Sequence, residues 1–491
     1  MNTFIGIDLG TSVIKVTAIN DEGTVVAKLS TPNPIITPTP THVEQNPMLW
    51  WEKTVALLKQ LHKQISFQHV KGIGLSGQMH GLVMYDEAKI PIHHAIVWLD
   101  KRSQKQVEKL QKAVGKTRVY TITGNPLFTG FLLPSLLWIK ENEPLIYKKI
   151  VTVSSPKDYL AFRLTNTLRS EPTDALATGA FDYKKNTWSQ ELLKACGISP
   201  SMFPSIAPTS QAYGVVTKQA SEQTDLPVGI PVYGGSDQSM SAMGIGLIDE
   251  KQASIAISTG GQFLAVAKKG ILDEKQRLHT LNHALEGVGL YMAATLTAGL
   301  SLQWFKDTII NPNYTYEALL QNVDTIEPGS NGLFFLPFLA GERTPYFNSN
   351  LKGSFMGLSL QHTRAHMVKA IIEGVCFSLR ECLQVFKETK IPLEKITISG
   401  GGTKHKLWTD TLVDIVQMPM GTINIEDHSP FGAAVFAKFA QEGFDKLPAF
   451  YKKIIRTTKS LTPHPKTAPL YNHLFPQYQR IAQTMSNTIY F

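Results

Sequence analysis

The stretch FIGIDLGTS at residues 4–12 decides how the chain begins to fold. Residues 4–8 alternate as a short strand, and residues 14–19 and 25–29 predict two more strands. The tripeptide Asp21-Glu22-Gly23 supplies a hairpin turn between the last two of these strands. Between the first two lies Asp8-Leu9-Gly10-Thr11-Ser12, a turn rich in backbone donors and hydroxyl groups. The chain therefore opens with a strand, a polar turn and a second strand.

The same pattern recurs near the middle of the chain. Residues 254–258 predict a strand, Thr259-Gly260-Gly261-Gln262 is a turn of small and polar residues, and residues 263–267 predict the next strand. Its position at the midpoint favours a duplicated architecture. We therefore predict two domains, at residues 1–247 and 248–491.

Predicted helices alternate with strands in both halves, which indicates an α/β fold. Apolar residues recur at three- and four-residue spacing over residues 47–64, 363–390 and 407–416. A strand at residues 396–399 precedes the last of these helices and ends in Gly400-Gly401-Gly402.

The composition is that of a globular protein with several domains. The chain has 491 residues, of which 43% are apolar and 18% charged, and the basic residues behind its net charge of +9 are mostly spread singly. No nucleic-acid-binding motif accompanies that charge, so we expect no nucleic-acid partner. No apolar run approaches the roughly 18 residues of a membrane helix, and the three cysteines form no CxxC pair. We expect a cytoplasmic protein without a membrane segment.

Four glycine-bearing turns follow predicted strands, at Gly10, Gly234-Gly235, Gly260-Gly261 and Gly400–Gly402. Glycine lets backbone N–H groups approach a phosphate closely, so four such turns favour a nucleotide ligand. The GxxxxGK[ST] loop is absent and no GxGxxG opens a helix after a strand, which argues against P-loop and Rossmann nucleotide sites.

Two aspartates stand at strand ends beside these turns. Asp8 precedes Gly10, and an acid next to a phosphate-binding turn needs a cation between the two groups, which suggests Mg²⁺ held largely through water. Asp237 follows Gly234-Gly235-Ser236 and has a plain alternative as the N-cap of a helix that starts at Gln238. A capped carboxylate stays ionised, so it can still accept a substrate proton.

The loop Gln78-Met79-His80-Gly81 interrupts what should be a buried strand pair. The more common role of such a histidine is a core residue with satisfied hydrogen bonds, but Gln and His in an interior loop also suit sugar hydroxyls. The loop Glu342-Arg343-Thr344-Pro345 has a plain reading as a salt-bridged loop. Further candidates for the same pocket as His80 follow a nearby strand: Trp98, Asp100, Lys101 and Arg102.

These motifs resemble those of the FGGY carbohydrate kinases, and of the xylulose kinases among them, over nearly the full chain. The matches occur in family order: FIGIDLGTS at 4–12, GLSGQMHG at 74–81, PKDYL at 156–160, GGSDQ at 234–238, STGGQF at 258–263, AGLSLQW at 298–304, PFLAGERTP at 337–345 and ISGGGTKHKLW at 398–408. Residues 353–373 fit the second signature of the family at every constrained position. The resemblance implies two actin-like (ribonuclease H-like) ATPase domains with a catalytic cleft between them.

The resemblance implies an ATP-dependent kinase that phosphorylates a ketopentose, D-xylulose to D-xylulose 5-phosphate. It implies Asp237 as the general base and Asp8 as the support of Mg²⁺ and of the transferring phosphoryl group, with both aspartates in the metal site. The residues expected to bind the sugar, mainly in the first domain, are Gln78, Met79, His80, Trp98, Asp100, Gln238 and Arg343. The residues implied to bind ATP, mainly in the second domain, are Thr11, Ser12, Lys15, Thr259, Gly260, Gly299, Gln303, Gly401, Gly402 and Lys406. A homodimer is also expected.

Three positions depart from the family pattern, and the two near the expected sugar pocket, Gln238 and Leu99, leave the sugar open. Gln238 and Leu99 stand where xylulose kinases often have Asn, and Ser135 stands where the family usually has Lys. Gluconate, which relatives of similar architecture handle, is the alternative substrate and would need a cation in the pocket. Three positions offer that cation: Lys101, Arg102 and Arg343. A more distant alternative is an actin-like ATPase with a binding or assembly role, which would share the hairpin turns and Asp8.

Overall fold

The computed structural model describes residues 1–487, which form two compact units of mixed α/β structure. Unit 1 comprises Met1–Ile248, Thr280–Gly289 and Ile425–Ile455. Unit 2 comprises Asp249–His279, Leu290–Asn424 and the segment that starts at Arg456. Each unit thus combines segments that are distant in the chain, whereas the repeated hairpin indicates one boundary near residue 247. The division into domains 1–247 and 248–491 stays a prediction, and residues 488–491 lie outside the described residues.

The strands of residues 1–487 are β1 (Thr3–Leu9), β2 (Val13–Asn20), β3 (Val25–Pro32), β4 (Ile36–Thr39), β5 (His42–Gln45), β6 (Val70–Gly77), β7 (Val83–Tyr85), β8 (Ala95–Ile96), β9 (Thr152–Ser154), β10 (Phe181–Asp182), β11 (Thr187–Trp188), β12 (Gly214–Val215), β13 (Pro231–Ser236), β14 (Lys251–Ile257), β15 (Gly261–Lys268), β16 (His279–Asn282), β17 (Val288–Thr295), β18 (Phe334–Leu336), β19 (Ser354–Met356), β20 (Leu393–Ser399), β21 (Met420–Ile423) and β22 (Thr457–Leu461).

The α-helices are α1 (Pro47–His62), α2 (Gln104–Val114), α3 (Lys116–Thr123), α4 (Leu132–Asn142), α5 (Pro144–Tyr147), α6 (Pro156–Thr165), α7 (Pro172–Ala175), α8 (Gln190–Cys196), α9 (Lys218–Thr224), α10 (Asp237–Gly244), α11 (Gly299–Trp304), α12 (Tyr316–Leu320), α13 (Arg364–Glu388), α14 (Lys406–Val416), α15 (His428–Glu442), α16 (Leu447–Ile454) and α17 (Ala468–Ser486). The three predicted helices are confirmed as α1, α13 and α14. Within residues 1–487, no helix is both long enough and apolar enough to cross a bilayer.

The repeated hairpin occupies the same place in two sheets of similar topology. In unit 1 the order is β12-β13-β6-β1-β2-β3, where β1 is antiparallel to β2 and parallel to β6. In the second sheet the order is β16-β17-β15-β14-β20-β21-β22, where β14 is antiparallel to β15 and parallel to β20. The predicted duplication of a strand, a polar turn and a strand is therefore confirmed.

The central strand β1 is buried on both faces. Ile5, Ile7 and Leu9 belong to one apolar cluster together with Trp50 of α1, while Phe4 belongs to another cluster with residues of α15. Because side chains alternate along a strand, Gly6 and Asp8 point to the same face as Phe4.

Glycines on that second face let α15 approach the sheet backbone. A Cβ added at Gly6 would lie 1.8 Å from the Pro430 carbonyl oxygen, and one added at Gly74 would lie 1.8 Å from that of Ala433. Only a residue without a side chain leaves room for this contact. The close packing explains why a segment from the end of the chain belongs to unit 1.

Candidate active site

The carboxyl ends of three parallel strands meet at one edge of the unit 1 sheet. Leu9 of β1 pairs with Gly77 of β6, and Gly77 pairs with Ser236 of β13. In open α/β sheets ligands bind beyond such ends. The pairing brings together two of the sequence-predicted groups, Asp8 and Asp237, with the loop that begins at residue 78.

Asp8 and Asp237 interact electrostatically. The Asp8 Oδ1 atom accepts a hydrogen bond of 2.7 Å from the Ser76 hydroxyl. The Asp237 Oδ1 atom is buried and has no hydrogen-bond partner among residues 1–487. Burial, and then the charge of Asp8, raises the pKa of Asp237 from 3.8 to about 7. Burial also raises the pKa of Asp8, although the Ser76 hydrogen bond and the Lys15 ammonium group oppose the rise. Two carboxylates in this setting resist being ionised together.

The structure corrects the alternative role of Asp237 as an N-cap. Ser236 is the N-cap of α10, because its side chain accepts a hydrogen bond from Ser239 N at 3.4 Å, and Asp237 is the first helical residue. The helix N-terminus favours the ionised form of an acid in this position. Asp237 is therefore not the N-cap, although a hydrogen bond from the Gln238 N–H group opposes the rise in its pKa, and its carboxylate can act as a proton acceptor.

The pair Asp8 and Asp237 suits a divalent cation. Mg²⁺ prefers oxygen ligands and keeps several waters, so one or two carboxylates are sufficient protein ligands. A cation would also give the buried Asp237 Oδ1 atom the partner that residues 1–487 do not provide. Within the same residues, no cluster of three or more His, Cys, Asp and Glu side chains is arranged to hold a metal. Mg²⁺ stays a prediction.

A closed ring of hydrogen bonds holds the loop that contains Gln78. The Thr11 hydroxyl donates to Gln78 Oε1 at 3.0 Å and accepts from Trp98 Nε1 at 2.9 Å. Gln78 Nε2 donates to Gln45 Oε1 at 2.7 Å, and Gln45 Nε2 donates to the Thr11 carbonyl oxygen at 2.7 Å. The structure thus unites Thr11, Gln78 and Trp98 and adds Gln45, which sequence reasoning missed because it lies in a strand outside any motif.

His80 is fixed in one ring orientation. Its Nδ1 atom lies 2.6 Å from the Ala177 carbonyl oxygen, so Nδ1 carries the proton and donates it. The ring stacks on Phe131 with a centroid separation of 4.1 Å and an interplanar angle of 7°. Met79 beside it is buried, and Gln238 is partly buried near the start of α10. Contact of these residues with a sugar stays a prediction.

Asp100 and Arg102 neutralise each other in the interior. Asp100 Oδ2 accepts hydrogen bonds from Val43 N at 2.7 Å and from Arg102 Nε at 2.9 Å. A second guanidinium nitrogen of Arg102 donates to Glu44 Oε1 at 2.6 Å, and the side chain is 1% exposed. Arg102 is thus already paired with two carboxylates, whereas Lys101 is exposed. A direct contact of Asp100 with sugar stays a prediction.

Lys15 forms an ion pair that sequence reasoning missed. It lies opposite Asp8 in the first hairpin, and its Nζ atom is 2.7 Å from Asp427 Oδ1. Asp427 directly precedes α15, more than four hundred residues away in the chain, so no local pattern indicates the pair. Ser12, the other predicted phosphate-side residue of this turn, is exposed.

In unit 2 the second hairpin turn contacts the start of α11. Gly299 N donates to the Ser258 carbonyl oxygen at 2.8 Å, and Leu300 N donates to that of Thr259 at 3.1 Å. A Cβ added at Gly299 would lie 2.5 Å from the Ser258 carbonyl oxygen, and one added at Gly260 would lie 2.6 Å from that of Thr295. The structure therefore unites Thr259, Gly260 and Gly299, three of the predicted nucleotide residues.

The glycine turn after β20 packs on the end of β14. A Cβ added at Gly402 would lie 2.6 Å from Ile257 Cγ2, whereas at Gly401 there is open space. Lys406, at the start of α14, is exposed, pairs with Asp410 and lines a cavity of about 880 Å³ in unit 2. Gln303 is exposed on α11. Nucleotide binding by all of these residues stays a prediction.

Arg343 belongs to unit 2, unlike the other predicted sugar residues. The neighbouring Glu342 accepts hydrogen bonds from Leu296 N at 2.9 Å and from Arg343 N at 2.7 Å. Burial raises the pKa of Glu342 to about 8 and lowers the pKa of Arg343. Glu342 is thus buried and Arg343 partly buried, and the two side chains interact electrostatically.

Two family models match consecutive parts of the chain. The N-terminal domain of the FGGY family of carbohydrate kinases matches residues 3–244, and the C-terminal domain of that family matches residues 253–441. The chain belongs to the FGGY family of carbohydrate kinases. It is accordingly an ATP-dependent sugar kinase built from two actin-like ATPase domains, which confirms the predicted fold class and enzyme class.

Individual FGGY kinases are similar over nearly the whole chain. The xylulose kinase of Lactococcus lactis subsp. lactis (strain IL1403) is 35% identical over 491 residues, which cover 99% of this chain and 97% of that protein. The gluconokinase of Bacillus subtilis (strain 168) is 27% identical over 495 residues, which cover 98% and 96%. Solved structures of a xylulose kinase and a gluconate kinase, both from Lactobacillus acidophilus, each have a TM-score of 0.94 and 26% identity over 99% of both chains.

Proposed function

We propose that this FGGY kinase transfers the γ-phosphoryl group of ATP to D-xylulose and forms D-xylulose 5-phosphate. Curated xylulose kinases share 33–35% of their residues with this chain, against 27% for a gluconokinase, and this difference supports a ketopentose substrate. The pairing of Arg102 with Asp100 and Glu44 removes one of the three cations that an anionic sugar such as gluconate could use.

The unpartnered carboxylate oxygen of Asp237 is the observation that supports the chemistry. A general base works best when its pKa lies near the working pH, and burial with the charge of Asp8 raises the pKa of Asp237 to about 7. Asp237 accepts the proton of the attacking sugar hydroxyl. The ring formed by Thr11, Gln45 and Gln78 holds the adjacent loop in place for sugar binding.

Phosphoryl transfer requires mainly positioning and neutralisation of charge. Asp8, with Asp237, would hold Mg²⁺, which when bound offsets the negative charge of the transferring phosphoryl group. Backbone N–H groups of the turns at Gly10 and Gly260 orient the phosphates. Thr259, Gly299 and the turn at Gly401 bind the rest of the nucleotide.

A coupled assay of ADP release tests the proposal. D-xylulose, L-xylulose, ribulose, gluconate and glycerol are compared with a reaction that lacks sugar, and D-xylulose should give the highest kcat/KM. Asp237→Asn should lower kcat by at least about 10²-fold, because a positioned base contributes roughly that much. Asp249→Asn, at an exposed position, is the control. A higher kcat/KM for gluconate would refute the substrate, and an active Asp237→Asn variant would refute the base.

We also propose a homodimer in the cytoplasm. Analytical ultracentrifugation of the purified chain tests the assembly, and a single species with the mass of one chain would refute it.

A further inference from the structure

A fully buried cluster of charges lies in the interior of unit 1. The Lys157 Nζ atom donates to Asp158 Oδ1 at 2.6 Å and to the Tyr213 hydroxyl at 2.5 Å. It also lies 3.3 Å from Asp174 Oδ2 and 3.6 Å from Glu171 Oε1, and these four ionisable side chains are 0% exposed. A buried charge cluster of this size is costly to form, so its position in the fold requires an explanation.

The Lys157 side chain passes the ends of two strands that lead into the candidate active site. A Cβ added at Gly77 would lie 3.1 Å from Lys157 Cβ, and one added at Gly234 would lie 3.3 Å from Lys157 Cδ. Gly77 directly precedes the loop that begins at Gln78, and Gly234 is three residues before Asp237. The cluster thus lies beneath both the predicted sugar loop and the predicted base.

Glu171 accepts four hydrogen bonds. Its Oε2 atom accepts from Thr173 N and from the Thr209 hydroxyl, both at 2.8 Å. Its Oε1 atom accepts from the Thr173 hydroxyl at 2.8 Å and from Asp174 N at 3.0 Å. Because the Thr173 hydroxyl donates its only proton to Glu171, the lone pairs of that oxygen have a defined direction.

The oriented Thr173 hydroxyl holds the backbone of Ser236, the residue before the proposed base Asp237. Ser236 N donates to the Thr173 hydroxyl oxygen at 2.7 Å. The Ser236 hydroxyl in turn donates to that of Ser239 at 2.9 Å, which donates to the Asn282 carbonyl oxygen at 2.6 Å. Asn282 Nδ2 donates a hydrogen bond of 2.9 Å to the carbonyl oxygen of Pro172, the residue before Thr173. These hydrogen bonds form a closed ring around the start of α10. The backbone from which Asp237 projects is therefore fixed by its neighbours.

We propose that Thr173 is a positioning residue for the base, because its hydroxyl, oriented by Glu171, holds the Ser236 N–H group and with it the direction of the Asp237 carboxylate. The inference rests on the proposed role of Asp237. Loss of this acceptor leaves a buried N–H group unsatisfied, so the turn from β13 into α10 shifts. A misplacement of a reacting group by about 1 Å costs up to about 10²-fold in rate.

Three variants separate positioning from stability. Thr173→Val keeps the shape of the side chain and removes the acceptor, so kcat should fall by roughly 10- to 10²-fold while KM for ATP stays within about twofold. Thr173→Ser restores the hydroxyl and should return kcat to within about threefold of the parent. Thr209→Val is the matched control, because it removes one hydrogen bond of the same length from Glu171 without touching Ser236. It should lower the melting temperature and leave kcat unchanged.

Several results would overturn the positioning role of Thr173. Parental kcat in Thr173→Val, or an equal loss of kcat in Thr209→Val, would overturn it, and so would a Thr173→Ser variant as slow as Thr173→Val. If Thr173→Val does not fold, Thr173→Ala at low temperature replaces it with the same expectation. An active Asp237→Asn variant would instead refute the base itself, so the two failures are distinguishable.

Discussion

Replacing Asp237 by Asn should stabilise the protein at alkaline pH while it removes activity. The pKa of this carboxyl is raised from 3.8 to about 7, first by burial and then by the charge of Asp8. Between these two values the native state keeps a proton that the unfolded chain has lost. Unfolding therefore releases a proton, and the free energy of unfolding of the parent falls as pH rises from about 4 to 7. Above about pH 7 the carboxyl is ionised in both states, so the native state carries the full free-energy penalty of the buried carboxylate.

The raised pKa of Asp237 sets the expected gain in the free energy of unfolding of Asp237→Asn. About three pKa units correspond to about 4 kcal/mol at 1.36 kcal/mol per unit. Because the Asp237 side chain is only partly buried, solvent screening should reduce the effect to about 2 kcal/mol. Unit 1, which contains Asp237, has about 290 residues, so at about 2.1 cal/mol/K per residue this corresponds to a rise of about 3 °C in melting temperature.

Scanning calorimetry with a chelator and without nucleotide measures the difference. The melting temperature of Asp237→Asn should exceed that of the parent by an amount that grows from pH 4.5 to about pH 8 and then stays constant. Asp249→Asn, at an exposed position, should show no such growth. An advantage that does not depend on pH, or a variant that is less stable than the parent at pH 8.5, would refute a desolvated carboxylate beside Asp8.

Three further predictions concern other parts of the chain. Gly299→Ala places a Cβ 2.5 Å from the Ser258 carbonyl oxygen, so KM for ATP should rise by roughly tenfold or more in steady-state kinetics, with KM for the sugar unchanged. Tyr471→Phe removes a buried hydrogen bond of 2.8 Å to Glu373 and should lower the free energy of unfolding by about 1–3 kcal/mol without changing kcat. Burial lowers the pKa of His283 from 6.5 to about 4, so the native state keeps this ring neutral. The free energy of unfolding of the parent should fall as pH falls from about 6.5 to 4, because the unfolded chain binds a proton that the native state does not. In urea unfolding, His283→Gln should lose less free energy of unfolding over this pH range. An equal loss in both proteins would contradict the prediction.

Much of the fold could be predicted because its signals are local. The alternation around Ile5 and Ile7 and the turn at Gly23 predict three consecutive antiparallel strands, and the structure has them as β1, β2 and β3. The long apolar stripe of α13 likewise predicts its bounds to within a few residues. Gly6 and Gly74 indicate that another segment packs closely on the strand backbone, but they do not indicate which segment. The packing of α15 on unit 1 could therefore not be predicted.

The candidate site was predictable in its residue types and less so in its geometry. Ser236 and Asp237 are both good capping residues, and only the backbone of α10 shows that Ser236 is the cap. The hydrogen bond from Gln78 to Gln45 joins a loop residue to a residue of β5. No pattern at either position predicts it, because a side-chain amide is compatible with many environments.

Local sequence was sufficient for the strand–turn–strand repeat, the α/β class, the family motifs and the choice of Asp8 and Asp237 as the proposed catalytic aspartates, since each depends on neighbours within a few residues. The three-dimensional structure was needed to show which segments complete each unit, that Arg102 is already neutralised, and that Asp237 Oδ1 has no hydrogen-bond partner within the described residues 1–487. Burial and charge depend on groups brought together from distant parts of the chain, and these set the pKa of Asp237. The identity of a residue supplies its chemistry, and its surroundings determine how that chemistry is used.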